Sequence, residues 1–284
     1  MHRRMWTAAI VATIVVTGVG ATSASADPAP QGLEKATGWY LALGDSLAAG
    51  YQPDRGDDPT GGYVGGVLDA VRGSTPKTTL VNLACSGETA VTMVEGGRCS
   101  YEEGTQLAQA LEFLHAHGRF TRVVTVDIGA NDVQRCVSRS PVAIDLACVQ
   151  RGLADVQRNL PAVLAQLRAA APGARIVVAN YYNPFLAAYL TGAAGQALAQ
   201  QSSLLQAALN AIIAGAAAAT GAQVADVATA FRSTDTTPVA VPGLGTVPRN
   251  VATICAWTWM CTRNDIHAND TGYAVMATAV VARL

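Results

Sequence analysis

Short runs of apolar and β-branched residues alternate along the chain with longer stretches in which apolar residues recur at helical spacing. The short runs predict five strands, at residues 40–43, 78–83, 123–128, 175–179 and 223–227. The longer stretches predict helices at residues 105–117, 143–170, 195–219 and 271–284. Strands that alternate with helices are typical of βαβ units, so we predict an α/β fold built on a parallel sheet.

The start of the chain has the pattern of an export signal. Basic residues precede a short apolar stretch, residues 6–19, and a small-residue cleavage site ends at Ala26. We therefore expect residues 1–26 to be a signal peptide that is cleaved near Ala26, which makes the protein secreted (extracellular); an uncleaved membrane anchor is the alternative. Residues 27–37 then form an N-terminal lead-in, and residues 38–284 form one domain.

The charge and hydropathy of the remaining chain exclude several classes of partner. The formal net charge is -1 and no basic run follows the signal, which argues against nucleic acid or an anionic membrane as a partner. No later stretch approaches about 18 uninterrupted apolar residues, so we expect no stable membrane span. We expect a small-molecule ligand, uncharged or apolar, and a monomeric protein.

Six cysteines all lie in the part of the chain that we expect to be exported, where disulfides form readily. We favour the sequential pairing, because each bond then closes a short loop beside a candidate site segment: Cys85–Cys99, Cys136–Cys148 and Cys255–Cys261. A zinc site is the alternative. However, the cysteines form no CxxC pair and have no histidine at ligand spacing, so we expect no metal.

A serine lies just after the first predicted strand. Ser46 follows the apolar run 40–43, and Gly87 and Asn131 each follow another predicted strand by a few residues. Because ligands bind beyond the carboxyl ends of the strands in open α/β sheets, we expect all three residues at one edge. A serine after a strand is usually a turn or cap residue, but the companion segments, which can donate to an oxyanion, favour a nucleophile.

A base for this serine is found by elimination among the four histidines. His2 lies in the signal, and His115 and His117 end a predicted helix, where a positive charge interacts favourably with the helix dipole. His267 remains, in a late loop surrounded by turn-forming residues. Ser46 and His267 are therefore the candidate nucleophile and general base.

Four short blocks, taken in order, resemble the SGNH hydrolase superfamily, also called GDSL esterases and lipases. The blocks are Gly44-Asp45-Ser46-Leu47, residues 82–89 with Gly87-Glu88-Thr89, Gly129-Ala130-Asn131-Asp132, and Asp265-Ile266-His267 with Gly272-Tyr273. The segment from Cys255 to Cys261, with its two tryptophans, further resembles the secreted, disulfide-bonded actinobacterial branch. The Gly-x-Ser-x-Gly elbow of α/β-hydrolases is absent, because Ala48 stands at its second glycine.

The resemblance implies a flavodoxin-like three-layer α/β/α sandwich with a five-stranded parallel sheet over residues 38–284. It also implies that Ser46 is the nucleophile and His267 its general base. The oxyanion hole would consist of the backbone N–H groups of Ser46 and Gly87 and the side-chain amide of Asn131. No cofactor is implied, because Ser-His chemistry needs none.

The group that orients His267 departs from the family's pattern. The family's acid lies three residues before the histidine, where this chain has Asn264, and Asp265 lies one residue closer. The imidazole can be oriented by the Asp265 carboxylate, the Asn264 side chain or a backbone carbonyl of the loop. We slightly favour a Ser-His pair helped by a backbone carbonyl over a triad with Asp265.

Four other features have expected roles. Asp45 and Asp132 are expected to fix loops as hydrogen-bond acceptors. Residues 181–185 follow another strand at the same edge and belong either to the substrate pocket or to the core. The Pro- and Gly-rich residues 236–250 are expected to form a surface loop.

The leading function is that of a secreted serine hydrolase that cleaves carboxylic esters, of lipids or small molecules, through an acyl-serine intermediate. The same residues would serve an acyltransferase, or a deacetylase that acts on cell-envelope or polysaccharide esters. A third hypothesis is a non-catalytic envelope-binding protein on the same fold.

Overall fold

The computed structural model of the protein describes residues 38–139 and 142–284. The predicted signal peptide, residues 1–26, and the lead-in, residues 27–37, lie outside the described residues.

Five parallel strands form the central sheet, in the order β2-β1-β3-β6-β7, and four short strands form two hairpins. In the described part of the chain the strands are β1 (Trp39–Gly44), β2 (Thr79–Asn82), β3 (Thr121–Asp127), β4 (Val137–Arg139), β5 (Val142–Ile144), β6 (Arg175–Ala179), β7 (Gln223–Ala225), β8 (Pro238–Val241) and β9 (Gly245–Pro248). Strand β1 pairs with β2 on one side and β3 on the other, and its last residue, Gly44, lies opposite Asp127. The candidate serine therefore follows an interior strand that is paired along both edges.

Helices flank the sheet in two groups, which gives the three-layer sandwich that the sequence predicts. Within the described residues they are α1 (Gly62–Ser74), α2 (Thr92–Glu95), α3 (Gln106–His117), α4 (Ala130–Gln134), α5 (Leu146–Ala170), α6 (Ala193–Thr220), α7 (Val227–Ala230), α8 (Arg249–Trp257), α9 (Met260–Arg263) and α10 (Asp270–Val281). Helix α1 packs against α10, whereas α3 packs against α5 and α5 against α6. Two 3-10 helices, Gly118–Phe120 and Pro184–Thr191, connect elements of the sandwich.

The structure confirms the five sheet strands and corrects the sequence-based reading at three places. Helix α1 was not predicted, because several glycines interrupt its apolar pattern, although Tyr63, Val64 and Val67 bury one face. The helix predicted from residue 143 begins at Leu146, because Asp145 caps it by accepting a 3.0 Å hydrogen bond from the Cys148 backbone N–H. The loop expected at residues 236–250 contains the β8–β9 hairpin.

Helix α6 is the one described helix that is long and apolar enough to cross a membrane, judged by length and composition alone. Its buried residues recur at helical spacing, among them Ala199, Leu209 and Ile213. This face packs against α5, the 3-10 helix Pro184–Thr191 and the sheet. Burial of one face therefore accounts for these positions of α6.

Three disulfides have the predicted sequential pairing, Cys85–Cys99, Cys136–Cys148 and Cys255–Cys261. The first joins the segment before Gly87 to the loop after α2, and the last joins α8 to α9 ahead of His267. Two of the three bonds therefore tether segments that carry candidate site residues.

Replacing both members of a pair by serine is expected to lower the free energy of unfolding according to the length of the loop that is released. Cys85 and Cys99 are 14 residues apart, and loop-closure entropy then gives a loss of about 3 kcal/mol. For Cys255 and Cys261, which are 6 residues apart, the same relation gives about 2 kcal/mol. Urea unfolding of the two double variants measures both losses. A larger loss at the shorter loop would contradict this account.

Candidate active site

Ser46 is placed by a tight turn at the end of β1. A Cβ on Gly44 would lie 2.5 Å from the Asp127 carbonyl oxygen, and φ of Gly44 is +144°, so only glycine fits where the chain leaves the strand. The Ala49 N–H donates to the Asp45 carbonyl at 3.0 Å, and the Tyr51 N–H donates to the Ser46 carbonyl at 3.0 Å. These bonds fix the backbone on both sides of the serine, whose side chain lies at the carboxyl edge of the sheet.

His267 lies in the loop between α9 and α10, and its Nε2 is 2.7 Å from Ser46 Oγ. The ring packs against the ring of Tyr51, with 4.4 Å between centroids. The backbone on either side is held by the Trp259 N–H, which donates to the His267 carbonyl at 3.0 Å, and by the Tyr182 hydroxyl, which donates to the Ile266 carbonyl at 2.8 Å. The two residues that sequence elimination paired are in hydrogen-bond contact.

The Asp265 carboxylate lies against the imidazole. Its Oδ1 lies 2.7 Å from His267 Nδ1 and also accepts the His267 backbone N–H at 3.0 Å. An Nδ1–H that donates to Asp265 leaves Nε2 as the acceptor for the Ser46 hydroxyl. The Asp265 side chain belongs to the same loop as His267 and is 24% exposed.

This contact corrects the slight preference for a backbone carbonyl. Asn264 ends α9 with left-handed backbone angles, φ 52° and ψ 36°, and so turns the chain before the aspartate. An aspartate that accepts the N–H two residues on forms a local turn, and this turn brings the Asp265 carboxylate to the ring despite the shorter spacing. Asn264 also lines a neighbouring groove.

The three candidate N–H donors follow three adjacent strands of the sheet, Ser46 after β1, Gly87 after β2 and Asn131 after β3. Among the described residues, neither the backbone N–H of Ser46 nor that of Gly87 has an acceptor. The Asn131 side-chain amide donates one of its two hydrogens to the Glu88 carbonyl at 2.9 Å, which places it beside Gly87 and leaves its second hydrogen for another acceptor. Gly87 has φ +83°, and the Arg98 guanidinium occupies the space that a Cβ would take. A glycine is therefore required there.

A buried glutamine, missed in the sequence, braces this arrangement. Gln106 Oε1 accepts the Gly44 N–H at 2.7 Å, and its Nε2 donates to the Gly44 carbonyl at 3.0 Å and to Glu88 Oε2 at 3.2 Å. Gln106 thereby ties the end of β1 to the segment that carries Gly87. Its position at the first turn of α3 resembles an ordinary polar helix start, so the sequence gives no sign of this role.

Asp45 and Asp132 accept backbone N–H groups, as expected. Asp45 Oδ1 accepts the Leu47 N–H at 2.9 Å, and Asp132 Oδ2 accepts the Ala90 N–H at 2.9 Å. Burial raises the pKa of Asp132 to about 6. Tyr181 is mostly buried, and its hydroxyl donates to Asp45 Oδ2 at 2.8 Å, so it supports the loop of the serine.

Three neighbouring spaces that share lining residues lie on one side of the serine. The crevice at Ser46 is lined by Gln134 and Pro184, and the small pocket beside it shares Gln134 and adds Val137 and Phe185. Val137 and Phe185 also line a groove of about 690 Å³. Most of the other lining residues of this groove are small or apolar: Ala187, Ala188, Leu190, Ala194, Leu198 and Met260. In the described part of the chain, no three His, Cys, Asp or Glu side chains are grouped to hold a metal ion.

Comparison with known proteins agrees with this fold. A lipase from a goat rumen metagenome has a TM-score of 0.57 at 17% identity, over 87% of this chain and 97% of the lipase. A protein of Parabacteroides merdae described as a GDSL-like lipase has a TM-score of 0.55 at 15% identity, over 88% and 96%. An α/β hydrolase enzyme from the metagenome of Lake Arreo, Spain, has a TM-score of 0.52 at 18% identity, over 87% and 95%. No curated protein matches the sequence.

These structures share the fold with this chain, and the family is shown by sequence. The profile of the GDSL-like lipase/acylhydrolase family matches residues 42–275, which is most of the chain and includes Ser46, Gly87, Asn131 and His267. The chain therefore belongs to the GDSL-like lipase/acylhydrolase family and is a carboxylic-ester hydrolase.

Proposed function

We propose that this protein is a secreted serine hydrolase that cleaves lipid esters through an acyl-Ser46 intermediate. The observation that carries the proposal is the continuous line of hydrogen bonds from Asp265 through His267 to Ser46, with 2.7 Å at each step. Nearby N–H groups without acceptors support an oxyanion at the same edge of the sheet.

In the first half-reaction, Ser46 Oγ attacks the ester carbonyl carbon while its proton moves to His267 Nε2. The carbonyl π electrons become an oxyanion that accepts hydrogen bonds from Ser46 N–H, Gly87 N–H and the Asn131 amide. The bond to the alcohol oxygen then breaks as that oxygen takes the proton from Nε2, and the acyl group stays on Ser46. The Asp265 carboxylate stabilises the imidazolium during this step.

In the second half-reaction, water attacks the acyl carbon and gives a proton to Nε2. The carbon–Oγ bond breaks, Oγ takes the proton back, and the carboxylic acid leaves. An alcohol that replaced water would give a new ester, so the same site residues serve hydrolysis and acyl transfer.

Covalent labelling tests this proposal directly. A fluorophosphonate is expected to add one phosphonyl group to the protein, and peptide mass spectrometry is expected to place it on Ser46. The amounts of free butyrate and glyceryl butyrate formed from p-nitrophenyl butyrate in the presence of glycerol then measure hydrolysis against transfer. Absence of label would favour a binding protein, and a predominance of glyceryl ester would favour an acyltransferase.

The apolar groove supports a fatty acyl chain as the substrate's acid part. It shares Val137 and Phe185 with the small pocket that lies beside the crevice at Ser46, and its volume lies within the range of small-molecule sites. An acyl chain of several methylenes removes its surface from water there, at ~0.8 kcal/mol for each CH₂.

Filling the groove is expected to shorten the preferred chain. Ala194 is exposed and lines the groove, so Ala194→Trp obstructs it without entering the core. Loss of two methylene contacts lowers kcat/KM for p-nitrophenyl dodecanoate about tenfold, while the butyrate is unaffected. Ala211→Trp, on an exposed face of the same helix outside the groove, is the matched control. Equal losses on both esters would rule out the groove as the acyl site.

Export is proposed for the same protein, and the three disulfides support an oxidising compartment. Expression of the full chain in a secreting host is expected to give an extracellular protein that begins at Asp27, as N-terminal sequencing would show. Retention of residues 1–26 in the membrane fraction would favour an anchor.

A further inference from the structure

Two buried carboxyl groups lie next to each other behind the nucleophile. Asp45, which directly precedes Ser46, is 2% exposed, and Asp127, the last residue of β3, is fully buried. The Asp45 backbone N–H donates to the Asp127 carbonyl at 3.1 Å, and the side chain of Asp127 lies against Gly44. Neither carboxyl group has a role in the reaction described above.

The hydrogen-bond partners of the two groups are not equivalent. Both oxygens of Asp45 receive donors, from the Leu47 N–H at 2.9 Å and the Tyr181 hydroxyl at 2.8 Å. Asp127 Oδ1 receives the Tyr63 hydroxyl at 2.5 Å, but no N–H or hydroxyl group in the described residues reaches Asp127 Oδ2. A buried carboxylate oxygen that receives no hydrogen bond destabilises the folded protein, whereas a protonated carboxyl oxygen can itself donate a hydrogen bond.

The Asp45 carboxyl is the acceptor for such a donor, because the two side chains are close enough to share a hydrogen bond. Burial raises the pKa of Asp127 well above its usual range, and the neighbouring charge of Asp45 raises it further. Burial also raises the pKa of Asp45, but the Leu47 N–H, Asp127 and Tyr181 each favour its charged form. Two adjacent carboxylates in a water-free site do not both ionise.

We propose that Asp45 and Asp127 share one proton, which resides on Asp127 Oδ2, and that the resulting Asp45 carboxylate is a second buried anion that stabilises the His267 imidazolium. Asp45 is then a positioning residue, which acts through His267 and does not touch the substrate. The functional part rests on the proposed role of His267 as the base, whereas the location of the proton does not.

The other ionisable groups around the pair leave this assignment intact. The tyrosines that face it are Tyr40, Tyr63, Tyr181, Tyr182 and Tyr273, and burial raises the pKa of each, so all remain neutral donors. His267 is the cation-forming group that lowers the pKa of Asp45 after the larger effects of burial and hydrogen bonds. Asp265 contacts the ring at Nδ1, whereas Asp45 directly precedes Ser46, whose Oγ contacts Nε2, and lines the same crevice as His267. Asp45 and Asp265 therefore both stabilise a positive charge on the same ring.

The pH profile of kcat/KM distinguishes the role of Asp45 from that of Asp127. Asp45→Asn removes the negative charge, so the imidazolium forms less readily and the acidic limb moves to lower pH, by about one unit if the lost interaction is near 1.4 kcal/mol. Asp127→Asn keeps the acidic limb in place, because an amide can accept from Tyr63 and donate to Asp45 as the protonated acid does. Asp226→Asn, which removes a carboxylate after β7 that is bonded to Asn180, is the control and should not move the limb. A shift in Asp127→Asn that equals the shift in Asp45→Asn would overturn the proposal.

A second measurement detects the shared proton without any substrate. Because the pKa of Asp127 is raised in the folded protein, the folded protein keeps a proton that the unfolded chain releases above pH about 4. The contribution of Asp127 to the free energy of unfolding therefore falls as pH rises. The asparagine variant has no such loss. The difference in Tm between Asp127→Asn and the wild-type protein is therefore expected to shift in favour of the variant from pH 4 to pH 8. A constant difference would show that the folded pair holds no extra proton, even if every variant were inactive.

Discussion

Ser46→Ala is expected to lower kcat for p-nitrophenyl butyrate on the order of 10⁵- to 10⁶-fold, the scale seen when the nucleophile of a serine hydrolase is removed. The alanine has no oxygen to form the acyl-enzyme, and His267 then has no hydroxyl proton to accept. The remaining N–H donors can still stabilise an oxyanion formed by water, so a weak residual rate is expected. Steady-state kinetics on the purified variant, at high enzyme concentration, measures this residual activity.

The matched control for this experiment is Ser86→Ala. Ser86 carries another hydroxyl at the same edge of the sheet, but that hydroxyl is bonded to Asp57 and has no contact with His267. The control should keep most of the activity, and circular dichroism should show the same fold for both variants. A modest loss in Ser46→Ala, or an equal loss in both, would mean that the acyl group is carried by a different residue.

The convergence of Ser46, Gly87 and Asn131 was predictable because it depends on the sheet alone. Each residue follows a strand by a few positions, and parallel strands point their carboxyl ends the same way. The short apolar runs at β1, β2 and β3 identify those strands without knowledge of the packing. Local pattern and topology were therefore sufficient to bring three distant segments to one edge.

The supports behind those residues were not predictable in the same way. Gln106 reaches Gly44 from a helix 62 residues away in sequence, and Tyr181 reaches Asp45 across 136 residues. Neither partner has a local pattern that distinguishes it from other polar or aromatic residues at element ends. Such contacts depend on how the helices and loops pack around the sheet, and spacing along the chain carries no information about that packing.

The spacing of residues before His267 did not predict its contact with Asp265, and the reason is local to the loop. A count of residues before the histidine assumes one loop conformation, whereas Asn264 adopts left-handed angles and Asp265 accepts the N–H two residues on. Asparagine is among the few residues other than glycine that adopt such angles at low cost. The loop therefore reaches the same ring nitrogen from a shorter separation.

Asp265→Ala is expected to lower kcat by about 10⁴-fold, the effect of disabling the acid of a Ser-His-Asp triad. The aspartate fixes the Nδ1–H tautomer, stabilises the imidazolium and also holds the His267 backbone N–H. Its loss therefore leaves the ring free to adopt the tautomer in which Nε2 carries the proton and cannot receive one from Ser46. KM is expected to change little, because the carboxylate does not line the groove.

Asn264→Gly distinguishes this role from the alternatives. Glycine accepts the left-handed conformation at residue 264, so the loop keeps its shape while the side-chain amide is lost. The variant should retain most of its kcat if Asp265 orients the ring, and phosphonate labelling of Ser46 should slow sharply in Asp265→Ala alone. A severe loss in Asn264→Gly with a mild loss in Asp265→Ala would assign the orienting role to the asparagine. Mild losses in both would return it to a backbone carbonyl of the loop, because only a main-chain acceptor would survive both substitutions.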